Sequence, residues 1–313
     1  MELFNSNSNI DFLGMRKVSL VISLVLVVAS IALVATRGLN YALDFTGGVL
    51  VEAQYAQPVA VDQVRAALEQ GGFDHAQVQS LGGTRDVSIR LQPREDQKDA
   101  AEVGRAVMAA LQKQRADASL KRPPDLVGSS VGAELKADGI VAAVFVMIGI
   151  MIYIGIRFEK RFAIAAIASE FHDAILTVGF FAATQLEFDL TVLASLLAVI
   201  GYSINDKVVV FDRVRELFRL TRKAETYDIL NKSIIQTLSR TIMTSLTTAL
   251  AMFALYFFGG PSVHGFALTM LVGIVIGTLS SIFFANPILL WLHVSKADLM
   301  PVTKENPELA RRP

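Results

Sequence analysis

Long blocks of apolar residues, separated by shorter polar segments, dominate the hydrophobic pattern of this chain. A helix needs about 20 mostly apolar residues to cross a bilayer. Six blocks approach or exceed that length, at about residues 18–36, 140–156, 162–184, 190–211, 241–258 and 266–292. Their apolar residues are continuous rather than confined to one helix face, which is typical of membrane spans. The pattern predicts an α-helical membrane protein with six spans.

The first apolar block is predicted to stay in the protein as a helix. Arg16 and Lys17 precede an apolar run over residues 18–35, which is longer than the core of a signal peptide. Residues 37–39 read Arg-Gly-Leu and lack the small-x-small pattern of a cleavage site. We therefore interpret this block as the first of the six spans.

The distribution of Lys and Arg predicts the orientation of the spans. Basic residues stand before span one, between spans two and three, between spans four and five, and after span six: Arg16, Lys17; Arg157, Lys160, Arg161; Arg213, Arg215, Arg219, Arg222, Lys223, Lys232; Lys296, Lys304, Arg311, Arg312. The opposite short loops, 185–189 and 259–265, contain neither Lys nor Arg. Because short cytoplasmic loops carry the basic excess, both termini are predicted to be cytoplasmic.

The long segment between the first two spans has the mixed periodicity of a small folded domain. Strands are predicted at 49–55, 78–81 and 86–91, and helices at 61–70 and 97–115. With a last strand near Leu126, the order is β-α-β-β-α-β, which favours a ferredoxin-like α+β sandwich. The orientation of the spans places this domain outside the cytoplasm.

The predicted organisation has four parts. Residues 1–37 form the cytoplasmic N-terminus and first span, and residues 38–136 form the extracytoplasmic ferredoxin-like domain. Residues 137–292 form a bundle of five spans, and residues 293–313 form a cytoplasmic tail. Within the bundle, residues 212–239 mix apolar residues with Arg and Lys and are predicted to lie on the membrane as amphipathic helices.

Composition narrows the possible functions. Hydrophobic residues make up 53% of the chain and charged residues 19%, below the roughly 25% of soluble domains. Cysteine is absent, which excludes disulfides and thiolate catalysis. The basic residues lie beside apolar spans rather than on a soluble face, so nucleic acid is not predicted as a partner.

Several motifs of enzymes are missing from the sequence. It contains no phosphate-binding Gly-x-x-x-x-Gly-Lys-Ser/Thr loop, no Gly-x-Ser-x-Gly elbow and no His-Glu-x-x-His metal site. We expect neither enzymatic activity nor a cofactor or metal. Active transport by this protein would take its energy from an ion gradient or from a partner.

Asp206 is the most informative residue within the spans. It lies about 9 Å from the middle of span four near Ile200, and Arg240 lies about 13 Å from the middle of span five near Ala249, on the same side. An acid inside the bilayer costs about 2.5–3.5 kcal/mol and is usually paired and functional. The pair is interpreted as a proton-coupling site, as a static ion pair between two helices, or as two side chains that extend to the cytoplasmic interface.

Further polar residues occur inside the spans. Glu170, His172 and Asp173 lie near the centre of span three, with the two acids three residues apart on one helix face. Thr244 and Thr248 lie in span five. These residues either form a secondary polar path for protons or serve the packing of the bundle.

Several stretches resemble the SecF members of the SecD/SecF family of protein-export membrane proteins, in the RND superfamily. Residues 43–48 read Leu-Asp-Phe-Thr-Gly-Gly, and residues 201–213 read Gly-Tyr-Ser-Ile-Asn-Asp-Lys-Val-Val-Val-Phe-Asp-Arg. Residues 233–241 at the entry to span five and residues 277–283 in span six agree as well. The resemblance extends over essentially the whole chain.

This resemblance implies a fold and a partner. It implies an RND half-unit with one helix, an extracytoplasmic domain and five further helices, located in the bacterial cytoplasmic (inner) membrane. Such a half pairs with SecD and works beside the Sec translocon channel subunits, in contact with membrane lipid and the translocating polypeptide. It uses the proton-motive force to promote translocation or release of polypeptide on the outer side.

The resemblance also implies roles for single residues. By position, Asp206 and Arg240 match the proton-coupling acid and arginine of the family. The surrounding motif residues are expected to support them: Gly201, Tyr202, Ser203, Asn205, Asp212 and Arg213. The residues after span one are expected to form a structural junction with the domain: Asp44, Phe45, Gly47 and Gly48.

Two other functions compete with this interpretation. One is an RND-type half-unit that exports small molecules or lipids, although such exporters usually carry a double unit and larger outer domains. The other is a passive scaffold of the translocon. Replacing Asp206 by Asn separates the scaffold from a proton-driven subunit, because only the latter needs a titrating group at this position.

Overall fold

The computed structural model describes residues 10–73, 76–81, 83–91, 99–127, 129–221 and 224–296. Its helices in chain order are α1 (Arg16–Arg37), α2 (Leu43–Thr46), α3 (Val61–Gln70), α4 (Ala100–Gln114), α5 (Ser129–Arg157), α6 (Lys160–Thr184), α7 (Leu190–Leu220), α8 (Thr226–Phe258), α9 (Pro261–Ser280) and α10 (Asn286–Trp291). Its strands are β1 (Asn40–Tyr41), β2 (Gly48–Gln54), β3 (Gln77–Ser80), β4 (Asp86–Leu91), β5 (Ser119–Leu120), β6 (Asp125–Val127) and β7 (Glu187–Phe188). The described residues contain six helices long and apolar enough to cross a membrane, and this confirms the predicted α-helical membrane fold with six spans.

The spans divide into an inner and an outer group. In the most apolar window of α6, α7 and the last span, 50%, 44% and 50% of the residues are buried inside the protein. The corresponding share is 6% in each of α1, α5 and α8. We call α6, α7 and the last span the inner helices, and α1, α5 and α8 the outer helices. The exposed surfaces of the outer helices are left to lipid or to a partner.

Small residues let the inner helices approach closely. A Cβ atom added to Gly273 on α9 would lie 2.2 Å from Val199 on α7, and one added to Gly277 would lie 2.7 Å from Ser203. Since real Cβ contacts are longer, only glycine fits at this distance. Close backbone approach through small residues is the usual way in which membrane helices gain packing energy.

A π-helical turn interrupts the last span. Residues Ser281–Ala285 form this turn between α9 and α10. The side-chain amide of Asn286 donates a hydrogen bond to the backbone carbonyl of Ser281 at 2.8 Å. This side chain therefore provides a hydrogen-bond donor for one carbonyl of the π turn. Single π turns inside α-helices occur frequently at functional sites.

Segment 212–239 forms the ends of two long helices, since α7 continues to Leu220 and α8 starts at Thr226. Its predicted position on the membrane surface stays a prediction. Apolar side chains of both extensions, including Val214 and Leu230, pack into one buried core instead of facing lipid. Arg222 and Lys223, and the predicted tail beyond Lys296, lie outside the described residues.

The segment between the first two spans folds around one antiparallel sheet. The strand order is β3-β4-β2-β5, with β6 also paired to β2. Apolar residues of α3 and α4 pack against the sheet in a core of their own. This element order and strand order fit a split β-α-β sandwich, and the ferredoxin-like fold stays our interpretation. The helix that follows, α5, begins at Ser129 and so starts before the predicted domain end at 136.

Candidate functional site

A fully buried ammonium group lies among the inner helices. Lys207, on α7, donates to Oε1 of Glu170 at 2.6 Å and to Oδ2 of Asp173 at 2.7 Å. Its third hydrogen bond goes to Oγ of Ser203 at 2.6 Å. These bonds use all three donors of the ammonium group. We call these four residues the lysine cluster; each of the four is fully buried.

Asp173 accepts more hydrogen bonds than any other side chain of this cluster. Besides Lys207, its Oδ2 accepts from Ser203 at 2.5 Å and from Ser280 of α9 at 2.7 Å. Nδ1 of His172 lies 2.8 Å from Oδ1, and the imidazole stacks on Phe284. Three assigned donors around one carboxyl group, Lys207, Ser203 and Ser280, favour its ionised form. The spacing of Glu170 and Asp173, one turn apart on α6, presents both acids to α7.

Asp206 and Arg240 are not joined by an ion pair in the described part of the chain. Asp206 is 2% exposed, and its Oδ2 has no hydrogen-bond partner among the described residues. Arg240 is exposed on α8 and attracts Asp206 electrostatically without direct contact. The structure therefore contains a buried acid with one unsatisfied oxygen, and a guanidinium group at longer range.

The hydroxyl groups of the threonines in span five donate to backbone carbonyls of their own helix. Thr244 donates to the carbonyls of Arg240 and Thr241, and Thr248 donates to the carbonyl of Thr244. A separate polar contact crosses the helices nearby, where Ser245 lies 2.8 Å from Thr278 of α9. The hydroxyl of Tyr202 approaches Ser245 at 3.4 Å.

The other residues of the fourth-span motif fall on two sides of α7. Gly201 and Asn205 are exposed within the span. Toward the C-terminal end of α7, Asp212 pairs with Arg157 of α5 at 2.7 Å, which ties α7 to α5. Arg213 donates to Gln236 of α8 at 2.8 Å and pairs with Glu216, which ties α7 to α8.

The Asp-Phe-Thr-Gly-Gly segment joins the first span to the domain and to α7. Oδ2 of Asp44 accepts from the backbone N–H of Leu190 at 3.2 Å, at the N-terminus of α7. Phe45 packs into an aromatic cluster that includes Phe188. Gly47 and Gly48 have φ angles of 68° and 127°, which favour glycine.

A second contact fixes the domain over the bundle. Arg90 on β4 forms an ion pair with Glu187 in the loop before α7. Burial lowers the pKa of Arg90, while the carboxylates of Asp44 and Asp189 act in the opposite direction. In addition, β1 pairs in parallel with β7 and joins the exit of α1 to the same loop.

Sequence reasoning missed the central position of Lys207. A lysine inside a span must find partners, because an unpaired ammonium group in hydrocarbon is costly. Its helix neighbour Ser203, four residues earlier, and the two acids of α6 are the partners that it finds. The charge of Lys207 within span four was the available signal.

Models of two protein families match the chain. The model described as protein export membrane protein SecD/SecF, C-terminal, matches residues 107–295. The model of the SecD/SecF GG motif matches residues 32–59, which include the junction segment.

Similar proteins and structures extend over most of the chain. The protein translocase subunit SecF of Pseudomonas aeruginosa is 47% identical over 93% of this chain and 94% of its own length. The protein translocase subunit SecF of Vibrio alginolyticus is 42% identical over 100% of this chain and 99% of its own. The crystal structure of SecDF from Thermus thermophilus, a translocon-associated membrane protein, matches with a TM-score of 0.81 at 33% identity. That match covers 93% of this chain and 40% of the SecDF chain.

Proposed function

This chain belongs to the SecD/SecF family of protein-export membrane proteins, and from this membership we propose that it is an accessory subunit of Sec protein export. It acts in the bacterial cytoplasmic membrane with both termini in the cytoplasm. With SecD, it uses the proton-motive force to promote translocation or release of polypeptides on the outer side. The names of its relatives and the match to SecDF support this role.

The observation that carries the proton-driven part of this proposal is the state of Asp206. One oxygen of this buried acid has no hydrogen-bond partner among the described residues. An ionised carboxylate with an unsatisfied oxygen is unfavourable in an apolar site, whereas a protonated one is neutral. Movement of α8 that brings Arg240 to Asp206 stabilises the ionised form and releases the proton. Movement away favours proton uptake.

An exposed stripe on α7 supports SecD as the partner. Ala194, Ala198, Gly201 and Asn205 share one face of the helix and are exposed within the span. The space where a Cβ of Gly201 would lie is open. Small residues permit close helix contact, and an amide inside a bilayer finds a hydrogen-bond partner on another helix. This face adjoins Asp206, so the partner would lie beside the titrating group.

The proposed orientation of the protein indicates its contacts with the polypeptide, the translocon channel subunits and lipid. The extracytoplasmic domain stands on the side where the polypeptide emerges, and its junction with α7 gives it a direct connection to the helix that carries Asp206. The Sec translocon channel subunits are the neighbours that deliver the polypeptide. Lipid covers the apolar surfaces of the outer helices.

Replacing Asp206 by Asn tests the proton-driven function. Vesicles that contain the translocon, SecD and the Asp206→Asn variant are expected to lose the acceleration of export by a proton gradient. The matched control is Asp62→Asn, at a carboxylate whose side chain is 89% exposed on α3. An unchanged response of Asp206→Asn to the gradient would contradict proton coupling and favour the passive scaffold.

The partner interface has a separate test. Gly201→Leu is expected to reduce co-purification with SecD, because a large side chain fills the space that the partner helix needs. Gly149→Leu on α5 is the control, since its Cβ position is also open. Equal recovery of SecD with both variants would remove this face of α7 from the interface.

A further inference from the structure

We propose that Glu170 is a second exchangeable proton site and that Lys207 determines which acid of α6 holds the proton. In this assignment Asp173 stays ionised against Lys207, and Glu170 carries a proton in the resting state. The inference deepens the proposed function and rests on it where the transport cycle is concerned. The protonation state itself is independent of that function and can be measured separately.

The first argument is the charge balance of the lysine cluster. It contains one ammonium group and two carboxyl groups, all fully buried. With His172 neutral beside Asp173, the site carries one uncompensated negative charge inside the bilayer if both acids are ionised. Such a charge is expensive to bury, whereas a neutral group with one acid protonated is not. One of the two acids therefore holds a proton.

The second argument is the unequal number of donors around the two acids. Asp173 accepts from Lys207, Ser203 and Ser280, and Nδ1 of His172 lies 2.8 Å from its other oxygen. Glu170 accepts only from Lys207, and its Oε2 is buried without a partner in the part of the chain that the structure describes. Hydrogen bonds to the charged form stabilise that form. Asp173 is consequently the ionised acid and Glu170 the protonated one.

Among the described residues, Lys207 is the one Lys or Arg that acts electrostatically on Glu170. The other titratable groups of this site are Asp173, which also acts on Glu170, and His172, which contacts Asp173. From α9 the cluster receives the hydroxyl of Ser280. A crevice of about 340 Å³ between α1, α6 and α9 reaches His172 and Ser280, and it is lined almost wholly by apolar side chains. Lys207 is thus the cation that compensates the charge of Glu170 directly.

The consequence for the transport cycle is a link between proton occupancy and helix position. When the proton leaves Oε2 of Glu170, the negative charge left behind draws the carboxylate toward Lys207, and this favours close contact of α6 and α7. When the proton returns, that attraction is lost. Together with Asp206, this gives the inner helices two exchangeable protons.

Infrared spectroscopy of the full chain, reconstituted with SecD in lipid, tests the assignment at neutral pH. A protonated carboxyl group has a carbonyl stretch that shifts on exchange into D₂O. The wild type is expected to show this band, and Glu170→Gln is expected to lose a component of it. Glu69→Gln, at an exposed position of α3, is the matched control and should retain the full band. A full band in Glu170→Gln would overturn the proposal.

A second variant tests the role of Lys207, even if Glu170→Gln folds poorly. In Lys207→Gln, Asp173 loses its cation and is expected to take up a proton, so the band should grow. Adding Asp173→Asn should remove that gain. Absence of any gain would show that Lys207 does not keep Asp173 ionised and would overturn its part of the assignment.

Transport separates this inference from the proposed function. Gradient-dependent export is expected to fall in Glu170→Gln but not in Glu69→Gln. A lost infrared band with unchanged export would make the proton of Glu170 static and overturn its place in the cycle. If Asp206→Asn leaves the gradient response intact, proton coupling through Asp206 fails, while the infrared result still decides where the proton of the lysine cluster resides.

Discussion

The inner and outer helices differ in how much of their surface is covered by protein and in where their charged residues lie. The inner helices bury about half of their most apolar window and contain Glu170, Asp173, Asp206 and Lys207. The outer helices bury 6% of theirs, and in the described residues their charged groups stay near the ends of the spans, as Arg240 does. In the described residues, the buried charged groups of the spans therefore lie on the helices that protein covers. The outer helices shield these groups from lipid.

This contrast predicts where the protein tolerates change. A substitution on an inner helix meets tightly packed neighbours and paired charges, so its effect on the free energy of unfolding is large. A substitution of similar size on an outer helix meets lipid or open space, so its effect is small.

The largest expected effect follows removal of the buried cation. Lys207→Met leaves the ionised Asp173 without its cation, and breaking a buried ion pair in this way typically costs about 3–5 kcal/mol. We expect a clearly lower midpoint of denaturation in a detergent titration followed by circular dichroism. Leu24→Ala, at a position 63% exposed on α1, is the outer-helix control and should change little.

A triple variant sharpens this result. Combining Lys207→Met with Glu170→Met and Asp173→Leu removes the cation and both acids and should recover most of the lost stability, since apolar replacement of a buried ion network is often neutral. A triple variant as unstable as Lys207→Met would show that the cost comes from packing rather than from charge.

The second effect concerns close packing of the inner helices. Gly273→Ala places a methyl group against the stiff side chain of Val199, and overpacking of this kind costs about 1–3 kcal/mol. Gly149→Ala on α5 is the matched change on an outer helix, where the Cβ position is open. Thermal unfolding of the two variants in the same detergent compares them. Equal midpoints would contradict the division into inner and outer helices.

The smallest expected effect is at the helix N-termini. The side chain of Asp189 accepts a hydrogen bond from the N–H of Val192 at 2.7 Å and caps the inner helix α7. Asp189→Ala should lower the free energy of unfolding by about 1 kcal/mol. Glu225 precedes the outer helix α8 without a side-chain cap bond, so Glu225→Ala should have almost no effect. Detergent denaturation measures both, and a larger loss in Glu225→Ala would refute the comparison.

Local patterns predicted much of the secondary structure. Helix α3 (Val61–Gln70) and strand β4 (Asp86–Leu91) have the bounds that their periodicity and their flanking glycines indicate. The six spans were equally predictable from the sequence, because length and hydropathy depend only on neighbouring residues in the chain. The strand order of the domain required a fold analogy, since pairing partners lie far apart in sequence.

The arrangement of charges within the bundle was harder to predict. Depth along each helix placed Asp206 and Arg240 at similar levels, but depth does not determine the direction in which a side chain points around the axis. In the structure Asp206 is buried and Arg240 is exposed. The partners of Lys207 depend on how α6 rotates against α7, and that rotation is set by packing over the whole interface.

The π turn at Ser281–Ala285 makes chain length in the last span as important as side-chain identity. Phe284, which stacks on His172, lies inside this turn, and Ser280, which donates to Asp173, directly precedes it. Deleting one residue there would restore the ordinary α-helical register. The residues after the turn would rotate by about 100° around the helix axis and shift by about 1.5 Å along it. Residues on opposite sides of the turn would then face different neighbours, although every remaining amino acid is unchanged.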